Sequence, residues 1–142
     1  METNLALSHR VLYFPGKELR IFKTKWFERW AGSEGIANAA LLNAVEEMSQ
    51  GLIDANMGGH VFKKRVGING RGKRGGLRTL LAFRMGERAF FVFGFAKNAR
   101  ANVSEKGLVA LKLLASELLG YDSPTLTQAL RAGELIEVKG DE

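Results

Sequence analysis

Two apolar segments joined by a short turn constrain the fold of this chain most. Residues 77–84 and 88–97 are rich in Leu, Phe and Ala, and Met85-Gly86-Glu87 separates them. Apolar segments of this length around a glycine-containing turn are typical of an antiparallel β-hairpin. Because both segments have largely apolar faces, we expect the hairpin to lie at the centre of a sheet that helices cover.

The residues before the basic part of the chain predict one strand and two helices. Residues 19–23 alternate between two faces, as a short strand does. Thr24 is a suitable N-cap for a first helix, whose apolar stripe of Trp and Phe side chains ends before Gly32. Asn38 is a suitable cap for a second helix, and Gly51 stands where a left-handed C-terminal residue is favoured.

A basic segment lies between these helices and the hairpin, and it predicts a strand followed by a loop. Residues 60–66 alternate in a pattern that favours a strand. Residues 67–76 contain five glycines and three cationic residues, which favours a loop. At the other end of the chain, among the first 18 residues, a further short strand is predicted around residues 11–14.

The C-terminal part of the chain predicts two more helices and a strand. Ser104 can cap a helix with an apolar stripe that ends at Gly120. Pro124 suits the first turn of a short helix that runs to Ala132. The apolar residues from Leu135 onward predict a last short strand.

Length and composition indicate one compact globular domain. The chain has 142 residues, of which 46% are hydrophobic and 25% charged, as in ordinary globular proteins. No apolar run approaches the roughly 20 residues of a membrane-spanning helix. The first residues lack the pattern of a secretory signal. We therefore expect a cytoplasmic protein with no membrane partner.

The residue types that bind metals or attack substrates covalently are scarce. The chain has no cysteine, which excludes disulfides, thiolate catalysis and cysteine-based zinc sites. Its two histidines, His9 and His60, cannot form an ordinary histidine-rich metal site alone. We therefore expect no metal site.

Positive charge is concentrated in the middle of the chain. The net charge is +6, but between His60 and Arg100 eleven Lys and Arg residues stand against one acidic residue, Glu87. A surface of one charge attracts polyanions, so nucleic acid is the leading class of partner, although a solvated face is the simpler explanation of such a cluster. Seven of the eleven are Arg, whose planar fork favours phosphate contacts over simple solubility.

Residues 71–78 are the most informative motif. Their glycines allow close approach of backbone amides to an anion, and their cations neutralise it, although a mobile hairpin loop has the same composition. The spacing is not that of a nucleotide-hydrolase phosphate loop. Arg78 stands just inside an apolar strand, where an unpaired arginine is costly, so we expect either a carboxylate partner or a polyanionic ligand. Acidic residues are scarce nearby in sequence, which favours the ligand.

Aromatic residues offer a second, weaker indication of nucleic-acid binding. Trp26, Phe27, Trp30 and the hairpin phenylalanines have the chemistry of base-stacking platforms. Their spacing is more typical of core packing, so we expect them to be structural.

Three stretches of the chain carry a resemblance to a known family. They are residues 22–27 (FKTKWF), 72–78 (GKRGGLR) and 93–98 (FGFAKN). Together with the predicted order of elements, they resemble the RelE/ParE superfamily of bacterial toxin–antitoxin systems, nearest its HigB-like branch. The resemblance covers roughly residues 20–120.

This resemblance implies a small α+β fold. N-terminal helices would pack on a twisted, mainly antiparallel sheet, with a C-terminal helix added. The chain would then divide into an N-terminal extension at residues 1–19, a RelE-like toxin domain at residues 20–120, and a C-terminal helix and tail at residues 121–142.

The resemblance also implies an activity, because many members cut messenger RNA, usually on the ribosome and without a metal or other cofactor. In such a reaction the neighbouring 2′-hydroxyl attacks the scissile phosphate. The site must then accept a proton, stabilise charge on the phosphate and protonate the leaving 5′-oxygen. Lysine and arginine side chains can do most of this work.

The family pattern assigns roles to individual residues. Arg78 matches the strand arginine after the glycines and is the expected phosphate binder. Lys63 and Arg65 match the basic strand before the loop, and Lys97 matches the polar end of the last strand, so these four are the expected catalytic residues. The expected RNA-binding residues are Lys64, Arg71, Lys73, Arg74 and Arg100.

The proton donor and acceptor are less well defined by the pattern. Lys63 and His60 are the candidates for the base. Tyr121 is the one aromatic candidate for an acid or base in the matching C-terminal region.

Two classes of function remain open from the sequence. One is a ribosome-associated endoribonuclease toxin. The other is a binding protein without nuclease chemistry, either a DNA gyrase poison of the ParE type or an inactive nucleic-acid binder, because fold does not fix function. In each case the resemblance implies a cognate antitoxin, expected to be of the helix-turn-helix type.

Overall fold

The computed structural model describes residues 12–14, 17–68, 72–96 and 103–140, with side chains for residues 19–68, 77–96 and 103–140. Within these residues the chain forms seven strands and four helices. The strands are β1 (Leu12–Phe14), β2 (Lys17–Thr24), β3 (Ala55–Gly58), β4 (Val61–Ile68), β5 (Gly72–Arg84), β6 (Arg88–Ala96) and β7 (Leu135–Glu137). The helices are α1 (Lys25–Glu34), α2 (Asn38–Ser49), α3 (Glu105–Leu119) and α4 (Ser123–Arg131).

The strands form one sheet in the order β1-β2-β6-β5-β4-β3, and β7 pairs with β2. The pair β2–β6 is parallel, and the other described pairs are antiparallel. β5 and β6 form the predicted hairpin, with a turn at residues 85–87. The α+β fold with a mainly antiparallel sheet is therefore confirmed.

Helices cover both faces of this sheet. α1 and α2 pack on one face, where Phe27, Leu41 and Val45 meet Leu81 and Phe91 of the hairpin. α3 and α4 pack on the other face over a second apolar cluster of Phe22, Val61, Leu80, Phe90, Leu118 and Leu126. None of the described helices is long and apolar enough to cross a membrane.

Local capping explains where the helices begin. Oγ1 of Thr24 accepts a hydrogen bond from the Phe27 amide at 3.2 Å, which confirms the predicted cap of α1. Ser104 caps α3 in the same way. The predicted cap at Asn38 is wrong: Ala37 is the N-cap of α2, and Oδ1 of Asn38 accepts from Nζ of Lys23 at 2.8 Å instead.

β4 and β5 extend further than the sequence predicts. Ile68 pairs with Gly72, so strand pairing continues through much of the segment 67–76, and the predicted loop is wrong for those residues. Backbone hydrogen bonds between strands need no apolar side chains, and a register shift between Val66 and Ile68 accommodates three extra residues on β5. The remaining residues of the predicted loop, 69–71, lie outside the described residues.

The C-terminal residues join the sheet closely. β7 pairs with β2, and the amide of Val138 donates to the carbonyl of Ile21 at 2.8 Å. Arg20 of β2 makes two hydrogen bonds to Glu137, at 2.9 and 2.8 Å. The segment predicted as a C-terminal helix and tail thus contributes a strand to the sheet.

Candidate nucleic-acid interface

The register of the central strands places Arg65, Arg78 and Phe95 side by side. Arg65 of β4 pairs with Arg78 of β5, and Arg78 pairs with Phe95 of β6. Paired residues of this kind have Cα atoms about 4.5–5.5 Å apart and side chains on the same face. That face is the one under α3, because Leu80, two residues from Arg78, belongs to the α3 core.

Arg78 has an unfavourable environment for a charged side chain. Its Nη1 atom is buried and has no hydrogen-bond partner among the described residues. A buried donor without an acceptor costs about 1–3 kcal/mol. Like charges directly opposite each other on neighbouring strands are also destabilising, and Arg65 lies directly opposite Arg78. An anion bound between the two arginines would relieve both penalties.

The neighbours of Arg78 on β4 are more exposed. The side chain of Arg65 is 47% exposed, and its Nε lies 3.3 Å from Oδ1 of Asp54. Oδ2 of Asp54 also accepts a hydrogen bond from the backbone amide of Arg65 at 2.6 Å. Lys63, two residues earlier, lies on the same face as Arg65. Among the described residues, no carboxylate forms an ion pair with Lys63 or Arg78.

A second row of arginines, at the other end of the same sheet face, provides a comparison. Arg20, Arg88 and Arg84 lie side by side on β2, β6 and β5. Each contacts an acceptor: Glu137 for Arg20 at 2.8 Å, the carbonyl of Tyr121 for Arg88 at 2.7 Å, and Glu87 for Arg84 at 3.5 Å. In the part of the chain that the structure describes, the Arg65–Arg78 row has one carboxylate, that of Asp54, for two arginines. Its charge is therefore the less compensated of the two.

The sequence model of a protein family, described as the RelE toxin of the RelE / RelB toxin-antitoxin system, matches residues 19–138 of this chain. This chain belongs to the RelE toxin family. It is the toxin of a toxin–antitoxin module, and the family implies an antitoxin as its partner. The match confirms the superfamily predicted from the three stretches, and it extends past residue 120 to include β7. No curated protein matches the chain.

Lys64 of this RelE toxin does not lie on the basic face. It is 4% exposed, and its Nζ lies 2.8 Å from Oε1 of Glu47 on α2 and 3.0 Å from the carbonyl of Leu52. Side chains alternate along β4, so Lys64 points to the face opposite Lys63 and Arg65. The prediction that Lys64 binds RNA is corrected: it is a buried, ion-paired residue.

His60 and Tyr121 lie far from Arg78. His60 occupies the turn before β4, five residues or about 17 Å along the strand from Arg65. The Tyr121 carbonyl contacts Arg88, which is seven residues and more than about 20 Å from Phe95 along β6. Burial, and then the charge of Glu117, raise the pKa of Tyr121. Neither residue is positioned for proton transfer beside Arg78, which leaves Lys63 as the candidate base.

The other predicted site residues cannot be placed in the same detail. Lys97, Arg71 and Arg100 lie outside the described residues. Lys73 and Arg74 belong to β5, on the side of Arg78 that leads to residues 69–71, and their side chains are outside the described part. The described structure thus brings together Lys63, Arg65 and Arg78 of the predicted set.

The aromatic residues divide into two groups. Phe27, Phe90 and Phe91 are fully buried, as the sequence predicts. Trp26 is 46% exposed, and Phe93 and Phe95 are partly exposed. Phe93 and Phe95 are two residues apart near the end of β6, and this spacing predicts from the sequence that their side chains lie on the same face of the sheet.

Proposed function

We propose that this RelE-family toxin is a ribosome-dependent endoribonuclease that cuts messenger RNA without a metal and so blocks translation. The observation that carries this proposal is Nη1 of Arg78, which is buried, has no acceptor among the residues that the structure describes, and belongs to a residue directly opposite Arg65. Phosphate oxygens are acceptors that match a guanidinium group in charge and geometry. RNA is thus a ligand that would complete the hydrogen bonding of this row.

Four residues share the chemistry in this proposal. Lys63, reacting as the neutral amine, accepts the proton of the 2′-hydroxyl and becomes an ammonium group, and the 2′-oxygen attacks the phosphorus. Arg78 and Arg65 bind the nonbridging oxygens and stabilise the negative charge of the crowded intermediate. The P–O5′ bond breaks, and Lys97, which directly follows β6 in the sequence, is the candidate to protonate the leaving oxygen. The products are a 2′,3′-cyclic phosphate and a 5′-hydroxyl.

The remaining cations extend the RNA path beyond the cleavage point. Arg74 and Lys73 lie four and five residues from Arg78 on β5, which corresponds to about 13 and 17 Å of strand. Together with Arg71 and Arg100, we assign them to phosphate binding without chemistry. The salt dependence of RNA binding should report such contacts.

The partner and the setting rest on the resemblance. We propose a cytoplasmic toxin of the HigB-like branch, whose antitoxin is of the helix-turn-helix type and is encoded in an adjacent gene. Co-purification of the toxin with the product of that gene tests this assignment. Failure of the two proteins to associate would contradict it.

Induced expression in a sensitive bacterium tests the proposed function. Wild type, Arg78→Ala and Arg84→Ala are compared. Arg84→Ala is the control, because Arg84 lies on the same strand as Arg78 but in the row in which each arginine contacts an acceptor. We expect growth arrest and new messenger RNA 5′ ends inside translated frames with wild type and Arg84→Ala, and neither with Arg78→Ala.

Other outcomes of this experiment would contradict the proposal. Growth arrest with DNA breaks and no new RNA ends would indicate a topoisomerase target. Unchanged cleavage by a folded Arg78→Ala protein would remove Arg78 from the site. No arrest and no cleavage by wild type would indicate an inactive nucleic-acid binder.

A further inference from the structure

Aromatic side chains continue the basic row across the sheet. Phe95 lies beside Arg78 in the register, and Phe93, two residues earlier, faces the same side. The ring of Trp26 on α1 stacks on Phe93, with ring centroids 4.9 Å apart and planes 16° apart. Phe93 and Phe95 therefore share a sheet face with Arg78, and Trp26 of α1 contacts Phe93 beside the part of β6 that β2 leaves unpaired.

The exposure of Trp26 follows from the way β2 ends. β2 pairs with β6 only as far as Phe91, and α1 then begins at Lys25, one residue after the β2 end. Trp26 comes to lie beside the part of β6 that β2 does not reach, where it remains 46% exposed. Other phenylalanines of the hairpin, such as Phe90 and Phe91, are fully buried.

The surrounding residues fix Trp26 in place. Its ring stacks on Trp30 at 6.1 Å with planes 11° apart. Trp30 in turn packs directly against Gly94 of β6, where a Cβ atom would lie 2.1 Å from Cζ3 of the indole. Rings held in position from both α1 and β6 lose little conformational entropy when a ligand binds.

The distances suit a nucleotide that is bound through both its phosphate and its base. Arg78 and Phe95 are paired, with Cα atoms about 5 Å apart, and Phe93 lies about 7 Å further along β6. Single-stranded nucleic acids are bound by this combination of a basic track and aromatic rings on which unpaired bases stack.

We propose that Trp26, supported by Phe93, is a stacking site for an unpaired RNA base next to the phosphate that Arg78 binds. This inference rests on the proposed function, because it requires RNA at Arg78. The site positions RNA and takes no part in proton transfer. Since every base has a π-face, the site recognises single-stranded RNA with little preference for sequence.

An RNA-binding titration tests this site. The probe is an unstructured dodecamer of 2′-O-methyl RNA, which lacks the attacking hydroxyl, and a second set of dodecamers carries one abasic residue at successive positions. The proteins are wild type, Trp26→Ala, Trp26→Phe and Arg78→Ala. Met85→Ala is the matched control, because Met85 is 53% exposed in the turn at the far end of β5.

We expect Trp26→Ala to bind the intact dodecamer about 5- to 100-fold more weakly than wild type does, the range that loss of one stacked base gives. Trp26→Phe should recover most of the affinity, and Met85→Ala should bind as wild type does. One abasic position should weaken binding to wild type and have no effect on Trp26→Ala. Thermal unfolding establishes that each variant is folded.

Each other outcome separates this inference from the proposed function. If Trp26→Ala binds within twofold of wild type while Arg78→Ala loses binding, the stacking site is overturned and the proposed function stands. If wild type does not bind the dodecamer, the stacking site is overturned, and cleavage of messenger RNA on the ribosome decides the proposed function separately. If neither variant loses affinity, the stacking site and the assignment of Arg78 to RNA binding are both overturned. Should Trp26→Ala fail to fold, equal affinity of wild type for every abasic dodecamer overturns the stacking site.

Discussion

At the scale of single residues, the partners of the cations separate structural from functional positions. Lys64 and Arg65 are neighbours in the same basic strand. Lys64 is buried and ion-paired with the partly exposed Glu47, whereas Arg65 is half exposed opposite Arg78, whose Nη1 has no partner in the described part of the chain. A buried cation without a partner lowers the stability of the fold, and such unfavourable positions are typical of binding sites.

The first prediction concerns the stability of the Arg78 position. Arg78→Met replaces a buried unpartnered donor by an apolar chain of similar length, so we expect the free energy of unfolding to rise by about 1 kcal/mol. Arg84→Met removes a contact with Glu87 and should give no such gain. Urea unfolding of the three proteins measures both. A loss of more than about 1 kcal/mol in Arg78→Met would show that Arg78 stabilises the free toxin.

The second prediction concerns the buried ion pair. Glu47→Gln leaves the Lys64 ammonium buried without its counter-charge, which typically costs about 3–5 kcal/mol. We expect urea unfolding to show a loss of this order. RNA binding by the folded fraction should be unchanged, since Lys64 faces away from the basic row. If Glu47→Gln lowers the RNA affinity and leaves the free energy of unfolding unchanged, Lys64 has a role in RNA binding and not in stability.

At the scale of elements, the sequence predicts well wherever a local signal decides the structure. Thr24 and Ser104 cap helices as expected, and the hairpin of β5 and β6 forms around its glycine turn. The sequence fails where a tertiary contact decides. Asn38 contacts Lys23 rather than capping α2, and β3, which has no alternating pattern, forms because β4 offers a free edge.

The third prediction tests the close packing of α1 on β6. A Cβ atom at Gly94 would lie 2.1 Å from Trp30, so Gly94→Ala must displace the indole and should cost about 1–3 kcal/mol. Gly32→Ala is the matched control, because open space surrounds Gly32 within α1, and this change should stabilise the helix. Equal melting temperatures for the two variants would contradict this packing.

The fourth prediction concerns the cap of α4 and its dependence on pH. Hydrogen bonds from the side chain and the backbone amide of Thr125 lower the pKa of Asp122. The ionised cap therefore contributes stability above the unfolded pKa of about 3.9, and this contribution is lost as the pH falls through the lower folded pKa.

Melting temperatures across this pH range measure the effect. Asp122→Ala should melt below wild type at pH 7, and the difference should shrink below about pH 4. Asp122→Asn, which keeps an acceptor, should lie close to wild type at pH 7. A difference between wild type and Asp122→Ala that stays constant from pH 7 to pH 3 would contradict the role of the ionised cap.

At the scale of the whole molecule, the sheet face under α3 carries an arginine row at each end. Arg20 and Arg88 have acceptors that the fold brings from distant parts of the chain, Glu137 and the carbonyl of Tyr121, whereas Arg84 contacts Glu87, three residues away. The alternation of Lys63 and Arg65 and the strand position of Arg78 are predictable from the sequence. Which of the two rows is compensated by acceptors is not predictable, because the acceptors of Arg20 and Arg88 come from residues that are remote in sequence.

The measurement that tests this account most directly is primer extension on a messenger RNA in a reconstituted translation reaction. Wild type, Arg78→Met and Arg84→Met are added at equal concentrations of folded protein. The account predicts new 5′ ends within the translated frame for wild type and Arg84→Met, and none for Arg78→Met. If Arg78→Met gives as many new 5′ ends as wild type does, or if only Arg84→Met loses cleavage, the assignment of the site to Arg65 and Arg78 is contradicted.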